Sequence, residues 1–269
     1  MSTKTIHPNS AIMIVKLVSF PDCDDSLSLA ERKLRIRSAA EILNAKDSDF
    51  VMFSEWILTS KNDLKKLAES VHNKKVTALF ELKLAPGLEG NRLFLLQNGE
   101  IKDLKTHQIF MKSKDVDDNN IEKLINELEQ SRQFKCNGKR FLIVQCGENN
   151  ILKTIKIKGI KNRAEFRLNN RDLKNRFDKI LSSVDIVLNP THGYWSRFYD
   201  LTCRLYKFSE SRRYCFYCTQ LSDNMLANAH LHPEKNSTQR CYHSRRLIAP
   251  IYCSDKEEQN YLMQSYEIK

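Results

Sequence analysis

The chain has 269 residues and a mass of 31.5 kDa, and its 44 Lys and Arg outweigh 33 Asp and Glu to give a formal net charge of +11. With 41% hydrophobic and 29% charged residues it can bury a substantial core, which excludes intrinsic disorder and collagen-like repetition. The longest apolar run near the N-terminus, Ala11–Val15, is too short to span a membrane and no tripartite leader precedes it, so a soluble, cytoplasmic protein is expected.

Apolar alternation predicts a strand at Ala11–Ser19, and a 3.6-residue repeat of Leu29, Leu34, Ile36, Ala40 and Leu43 predicts a helix over Ser28–Ala45. A strand at Asp49–Phe53 and a helix at Ser60–Val71 follow, then strands at Lys75–Leu82, Arg92–Gln97 and Glu100–Phe110, the last two joined by the hairpin signal Asn98-Gly99. Ile121, Leu124, Ile125 and Leu128 mark a helix at Asn120–Gln130. Strands at Lys139–Gln145, Val184–Asn189 and Tyr214–Leu221, with a helix at Asp172–Leu181, complete an alternating α/β order. No Pro/Ser-rich linker divides the chain, so residues 1–269 read as one domain, ending in a polar, irregular tail at about 229–269.

Eight cysteines without a leader are expected as reduced thiols. Only seven glycines occur, and neither G-x-G-x-x-G nor G-x-x-x-x-G-K-[ST] is among their contexts, so no nucleotide cofactor is expected.

Three strand-like segments deliver groups of chemical interest. The apolar run Asp49–Phe53 leads into Ser54-Glu55-Trp56, placing a carboxylate at a strand's carboxyl end, where ligands gather in open α/β sheets. The run Phe141–Gln145 leads into Cys146-Gly147-Glu148, delivering a thiol with a glycine behind it for a sharp turn. The third segment carries Lys105 and His107 and continues to Phe110-Met111-Lys112. A thiol nucleophile needs a base, and the intermediate it forms needs a cation or N–H groups where negative charge develops; Glu, Lys and Cys supply these parts.

The order and contexts of these three residues resemble the nitrilase, or carbon–nitrogen hydrolase, superfamily, and the resemblance runs from Ala11 to about Leu221. Asp49–Glu55 looks like the family's apolar strand ending in Pro-Glu, with Ser54 in place of the proline. Cys146-Gly147-Glu148 resembles its nucleophile motif with glycine in place of an aromatic residue, and Val184–Pro190 resembles its later strand ending in Asn-Pro. The resemblance implies a four-layer α-β-β-α sandwich, a homo-oligomer, and cofactor-free hydrolysis of an amide or nitrile. Glu55 matches the general base, Cys146 the nucleophile and Glu148 the acid that follows it. Lys112 suits the family's aromatic-x-Lys pattern and Lys105 its Lys-x-His pattern. Their seven-residue separation places them on opposite faces of an unbroken strand, so at most one faces the site, with Lys112 preferred. A Glu base at neutral pH needs a proton affinity raised by burial, which a neighbouring lysine opposes. Glu148, with His192, Tyr194 and Trp195 after the Asn189-Pro190 strand end, is expected to border the substrate pocket; an aromatic subunit interface is the other reading of that loop.

Two rival readings remain. Cys215, Cys218, His230, His232, Cys241 and His243 supply zinc-ligand types, but three-residue spacing in a strand turns Cys215 and Cys218 to opposite faces, so structural cysteines and no metal are expected. The segment at about 149–179 reads as a basic insertion. Between Lys153 and Lys179 it carries ten basic residues against Glu165, Asp172 and Asp178; a solvated charged helix or hairpin is the first expectation, and Phe166 with the clustered arginines leaves room for a hydrolase-like binding module that holds nucleic acid or a protein partner.

Overall fold

The computed structural model describes residues 12–21, 27–54, 56–156, 162–191, 198–221, 238–254 and 261–269. In chain order the elements are β1 (Met13–Ser19), α1 (Leu29–Asn44), β2 (Phe50–Phe53), α2 (Lys61–Ser70), β3 (Thr77–Lys83), β4 (Asn91–Gln97), β5 (Glu100–His107), α3 (Asp118–Gln130), β6 (Gln133–Cys136) and β7 (Lys139–Ile143). They continue with β8 (Leu152–Ile155), β9 (Arg163–Phe166), α4 (Arg171–Ser182), β10 (Ile186–Pro190), α5 (Phe198–Phe208), β11 (Tyr214–Cys218), β12 (Gln239–His243), β13 (Arg246–Ile248), β14 (Tyr252–Cys253) and β15 (Leu262–Ile268).

Local chemistry explains the helix ends. Ser28 caps α1 in a reciprocal box, its Oγ accepting from the Glu31 N–H while the Glu31 carboxylate accepts from the Ser28 N–H. Ser60, Asp117 and Asn170 cap α2, α3 and α4 in the same side-chain-to-N3 manner. At the β4–β5 hairpin Asn98 and Gly99 both take positive φ (56° and 80°), the pair of left-handed residues a two-residue turn of this twist requires.

Among the described residues two large sheets and a two-stranded one, β8-β9, form. The seven-stranded sheet has the order β14-β15-β1-β2-β3-β4-β5 and the six-stranded one β13-β12-β11-β10-β7-β6. β1, β2 and β3 are mutually parallel, as are β7, β10 and β11. The short strand β2 shows why both faces are covered. Phe50 and Met52 enter the cluster between the sheets, with Phe141, Ile143 and Leu188 opposite, whereas Val51 and Phe53 enter the cluster beneath α1 and α2. α3, α4 and α5 cover the outer face of the second sheet through Leu124, Phe177 and Leu205. Helix, sheet, sheet and helix layers therefore stack in the expected four-layer sandwich.

Several expectations are corrected. Residues beyond 238 are not an irregular tail: β15 is inserted between β14 and β1, with Leu262, Gln264, Ser265 and Tyr266 all buried. Gln264 and Ser265 made the segment read as polar, but Gln264 accepts from the Tyr266 hydroxyl at 2.7 Å and so tolerates burial. The strand predicted over Glu100–Phe110 ends at His107, and that over Tyr214–Leu221 ends at Cys218. The basic segment folds as the β8–β9 ribbon leading into α4. There Arg163 pairs with Glu165, Lys174 with Asp178 and Arg176 with Glu129, while Arg167 donates to the carbonyls of Asn150 and Leu152. Four of the ten cations are thereby engaged within the fold, and Lys158 and Lys161 lie outside the described residues. No helix among the described residues is long and apolar enough to cross a membrane.

Candidate active site

β7 ends at Ile143, and after Val144 and Gln145 the chain turns at Cys146 into a 3-10 turn spanning Cys146–Ile151. Cys146 itself adopts φ 34°, so the left-handed residue is the cysteine and not the glycine behind it. Gly147 has a different reason to be glycine: a Cβ there would stand 2.0 Å from the Met111 carbonyl oxygen. The backbone just ahead of Lys112 thus rests directly on the residue after Cys146.

The turn is held from all sides. Asn149 Nδ2 donates to the Cys146 carbonyl at 2.9 Å, and Asn189, at the carboxyl end of β10, donates to the carbonyls of Val144 (2.6 Å) and Cys146 (3.3 Å). Arg204 Nη1 donates in turn to Asn149 Oδ1 at 2.7 Å; burial and the neighbouring Arg167 lower the Arg204 pKa to about 10. Asn150 Nδ2 donates to the Met111 carbonyl at 2.9 Å, fastening the Lys112 segment to the same turn.

Glu148, expected beside the pocket, is held inside the Cys146 turn. It is fully buried; its Oε1 accepts from the Ile109 N–H at 2.7 Å and its Oε2 from the Gln145 N–H at 2.9 Å. Arg132, also fully buried, binds both of its oxygens and reaches Glu127, Thr106 Oγ1 and the His107 carbonyl as well. Burial pushes the Glu148 carboxyl up and Arg132 pulls it back, the net direction being upward; the two carboxylates keep Arg132 above its ordinary value although burial opposes them. This carboxylate shapes the turn from within.

The two lysines do not share an unbroken strand. Lys105 is exposed on β5 at φ 53°, next to an irregularity in the β4–β5 register. Lys112 lies beyond the strand, exposed, its N–H bonded to Asp115. Of the two, Lys112 belongs to the segment packed on the Cys146 turn.

Glu55, His192, Tyr194 and Trp195 lie outside the described residues. Their neighbours are described. Ser54 donates its N–H to the Val18 carbonyl and accepts the Phe20 N–H at its Oγ, and Trp56 takes φ 59° with its N–H bonded to the Glu81 carbonyl. Beside Trp56 a cavity of about 370 Å³ opens between Leu58, Thr59, Lys83, Leu84 and Pro86, with the Lys83 ammonium 4.7 Å from the indole centroid.

Of the zinc-ligand types, Cys215 faces the cluster under the helices and Cys218 the cluster between the sheets, as their spacing predicted. Burial raises the Cys215 pKa well above the ordinary thiol value. His243 stacks on Tyr214, and His230 and His232 lie outside the described residues. No three His, Cys, Asp or Glu side chains among the described residues are grouped to hold a metal.

Sequence reading missed Arg132, Asn149, Glu81 and Gln145. Glu81 left a signal, a single carboxylate inside the apolar run Thr77–Leu82; the others sit in turns and strand ends where polar residues are ordinary.

No family model and no curated protein matches the chain by sequence. Solved structures match it by fold. A glutamine-dependent NAD(+) synthetase from Cytophaga hutchinsonii aligns with TM-score 0.54 and 12% identity, over 96% of this chain and 43% of that one. XC1258 from Xanthomonas campestris, described as a CN-hydrolase superfamily protein, aligns with TM-score 0.53 and 12% identity over 96% and 91%. The amidase from Nesterenkonia sp. AN1, with the acetamide moiety of fluoroacetamide added covalently at its active-site cysteine, aligns with TM-score 0.53 and 9% identity over 96% and 92%. This chain spans less than half of the synthetase and about nine-tenths of the other two. Its two large sheets with flanking helices are those of the carbon–nitrogen hydrolase fold.

Proposed function

We propose that this chain, as a single domain, is a thiol-dependent hydrolase of a carbon–nitrogen bond in a small amide or nitrile, with Cys146 as nucleophile, Glu55 as general base and Lys112 as the cation. The observation that carries the reading is Cys146 itself. It is a left-handed residue just beyond the carboxyl end of β7, which pairs in parallel with β10, its carbonyl fastened by Asn149 and Asn189 and its following glycine pressed against the Lys112 segment. A non-glycine residue in that region costs about 1–3 kcal/mol and persists only where its surroundings over-determine it, a pattern concentrated at functional sites. The Nesterenkonia amidase, whose cysteine carries an acetamide moiety, supports the same chemistry here. Lys105, equally exposed, is the alternative cation; the contact between Met111 and Gly147 supports Lys112 over it. Exposed Leu247, Ile251 and Tyr252 support self-association.

For an amide the steps are as follows. Glu55 takes the Cys146 thiol proton as sulfur attacks the carbonyl carbon, and the lysine ammonium with backbone N–H groups stabilises the tetrahedral anion. The C–N bond breaks, the amine leaves with the proton from Glu55, and a thioester remains. Water, deprotonated by Glu55, attacks the thioester, releasing the carboxylic acid and restoring the thiol.

The test is alkylation by iodoacetamide with peptide mass mapping. Cys253 is more exposed than Cys146, which is 5% exposed, so accessibility alone favours Cys253. The proposal expects Cys146 to be labelled first, Glu55→Gln to slow that labelling, and a small-amide pool to leave an acyl adduct that Cys146→Ala does not form. Labelling in order of exposure, with no adduct, refutes it.

A further inference from the structure

Glu81 lies near the carboxyl end of β3 and is 2% exposed. Ala78 and Phe80 pack toward α1 and α2 and Leu79 packs between the sheets, so Glu81, two residues on from Leu79, faces the other sheet. A carboxylate there is costly unless hydrogen-bonded, and an apolar residue would fill the strand as well. Two of its hydrogen bonds join it to neighbouring segments. One oxygen accepts from Trp56 Nε1 at 3.3 Å and the other from Gln145 Nε2 at 3.0 Å across the gap between the sheets. The Glu81 carbonyl also accepts the Trp56 N–H at 3.1 Å.

Trp56 is the residue after Glu55, and Gln145 the residue before Cys146. The chain of bonds continues to the third segment: Gln145 Nε2 reaches the Asn91 carbonyl at 3.4 Å, Asn91 Nδ2 donates to Gln108 Oε1 at 3.1 Å, and Gln108 Nε2 donates to the Phe110 carbonyl at 3.2 Å, two residues before Lys112. Trp56 and Cys146, both left-handed, lie at or next to the arms of this network. We propose that Glu81 is a positioning residue: its carboxylate locks Trp56 and Gln145 together, and so sets the distance between the base and the nucleophile that adjoin them. The inference rests on the Glu55–Cys146 reading above.

The experiment follows iodoacetamide labelling of Cys146 from pH 6 to 9, with hydrogen exchange of the peptides covering 54–58 and 144–148, in the full chain and in Glu81→Gln and Glu81→Asp. Glu81→Gln keeps the volume but can accept at only one oxygen. Its thermal midpoint is expected near that of the parent, Cys146 labelling should fall on the order of tenfold to a hundredfold with a displaced pH midpoint, and exchange should quicken in both peptides. Glu81→Asp should recover part of the rate. An unchanged rate and pH profile in Glu81→Gln overturns the inference and leaves the Cys146 reading intact, whereas no preferential labelling of Cys146 in the parent overturns both. Should Glu81→Gln fail to fold, Trp56→Phe and Gln145→Leu each remove one arm; slowed labelling in both supports the inference and parental rates in both overturn it.

Discussion

Arg132→Leu is the sharpest perturbation of the scaffold beneath the Cys146 turn. The guanidinium is fully buried and donates to Glu148, Glu127, Thr106 and the His107 carbonyl, so its removal leaves Glu148 buried without its counter-charge. Breaking a buried pair from one side costs about 3–5 kcal/mol. For a chain of this size each kcal/mol is about 2–4 °C in Tm, so a fall of roughly 6–20 °C is expected. Glu148→Gln should cost less, about 1–3 kcal/mol, because Arg132 keeps Glu127 while one of the Ile109 and Gln145 N–H groups loses its acceptor. Thermal unfolding followed by circular dichroism at pH 7 measures both. A fall of less than about 3 °C in Arg132→Leu, or a larger loss in Glu148→Gln than in Arg132→Leu, refutes the reasoning.

Two further outcomes follow from single positions. Gly147→Ala puts a Cβ 2.0 Å from the Met111 carbonyl oxygen, so backbone must move; a stability loss of about 1–3 kcal/mol and slowed Cys146 labelling are expected, and parental values in both would contradict the close approach. Asp63 is tied to Arg32, Ser60 and Thr59, and although burial raises its carboxyl, these hydrogen bonds outweigh burial and hold it below the ordinary 3.8. Its stabilisation is therefore complete above the unfolded-state value and lost as pH falls through the lower folded value, so the urea-midpoint gap between the parent and Asp63→Asn should be full at pH 7 and shrink below about pH 4. A gap constant from pH 7 to 3 would show that Asp63 acts without its charge.

Periodicity made much of the fold legible. The apolar repeat of Leu29, Leu34, Ile36, Ala40 and Leu43 marked α1, Asn98-Gly99 the β4–β5 turn, and apolar runs the strands β2 and β7, because these signals act within a few residues of themselves. Cys146 stood out because an apolar strand ends in it. β6, β8, β9 and β12–β15 did not, since short strands with polar residues owe their place to partners far along the chain; β15 pairs with β1 across most of the sequence. The partners of the site were hidden for the same reason. Nothing local to Glu148 pointed to Arg132, 16 residues away, as its buried partner.

The sequence by itself determined the alternation of strands and helices, the carboxyl-terminal placing of Cys146 and the excess of positive charge, all of which depend on local spacing and composition. Only the tertiary structure decided that the cysteine, not the glycine, takes the left-handed turn, that Gly147 yields its Cβ space to Met111, and that Lys112 rather than Lys105 belongs to the segment lying on the Cys146 turn. Those outcomes depend on the distance between segments some 35 residues apart, set by how two sheets stack, and no local pattern encodes that distance.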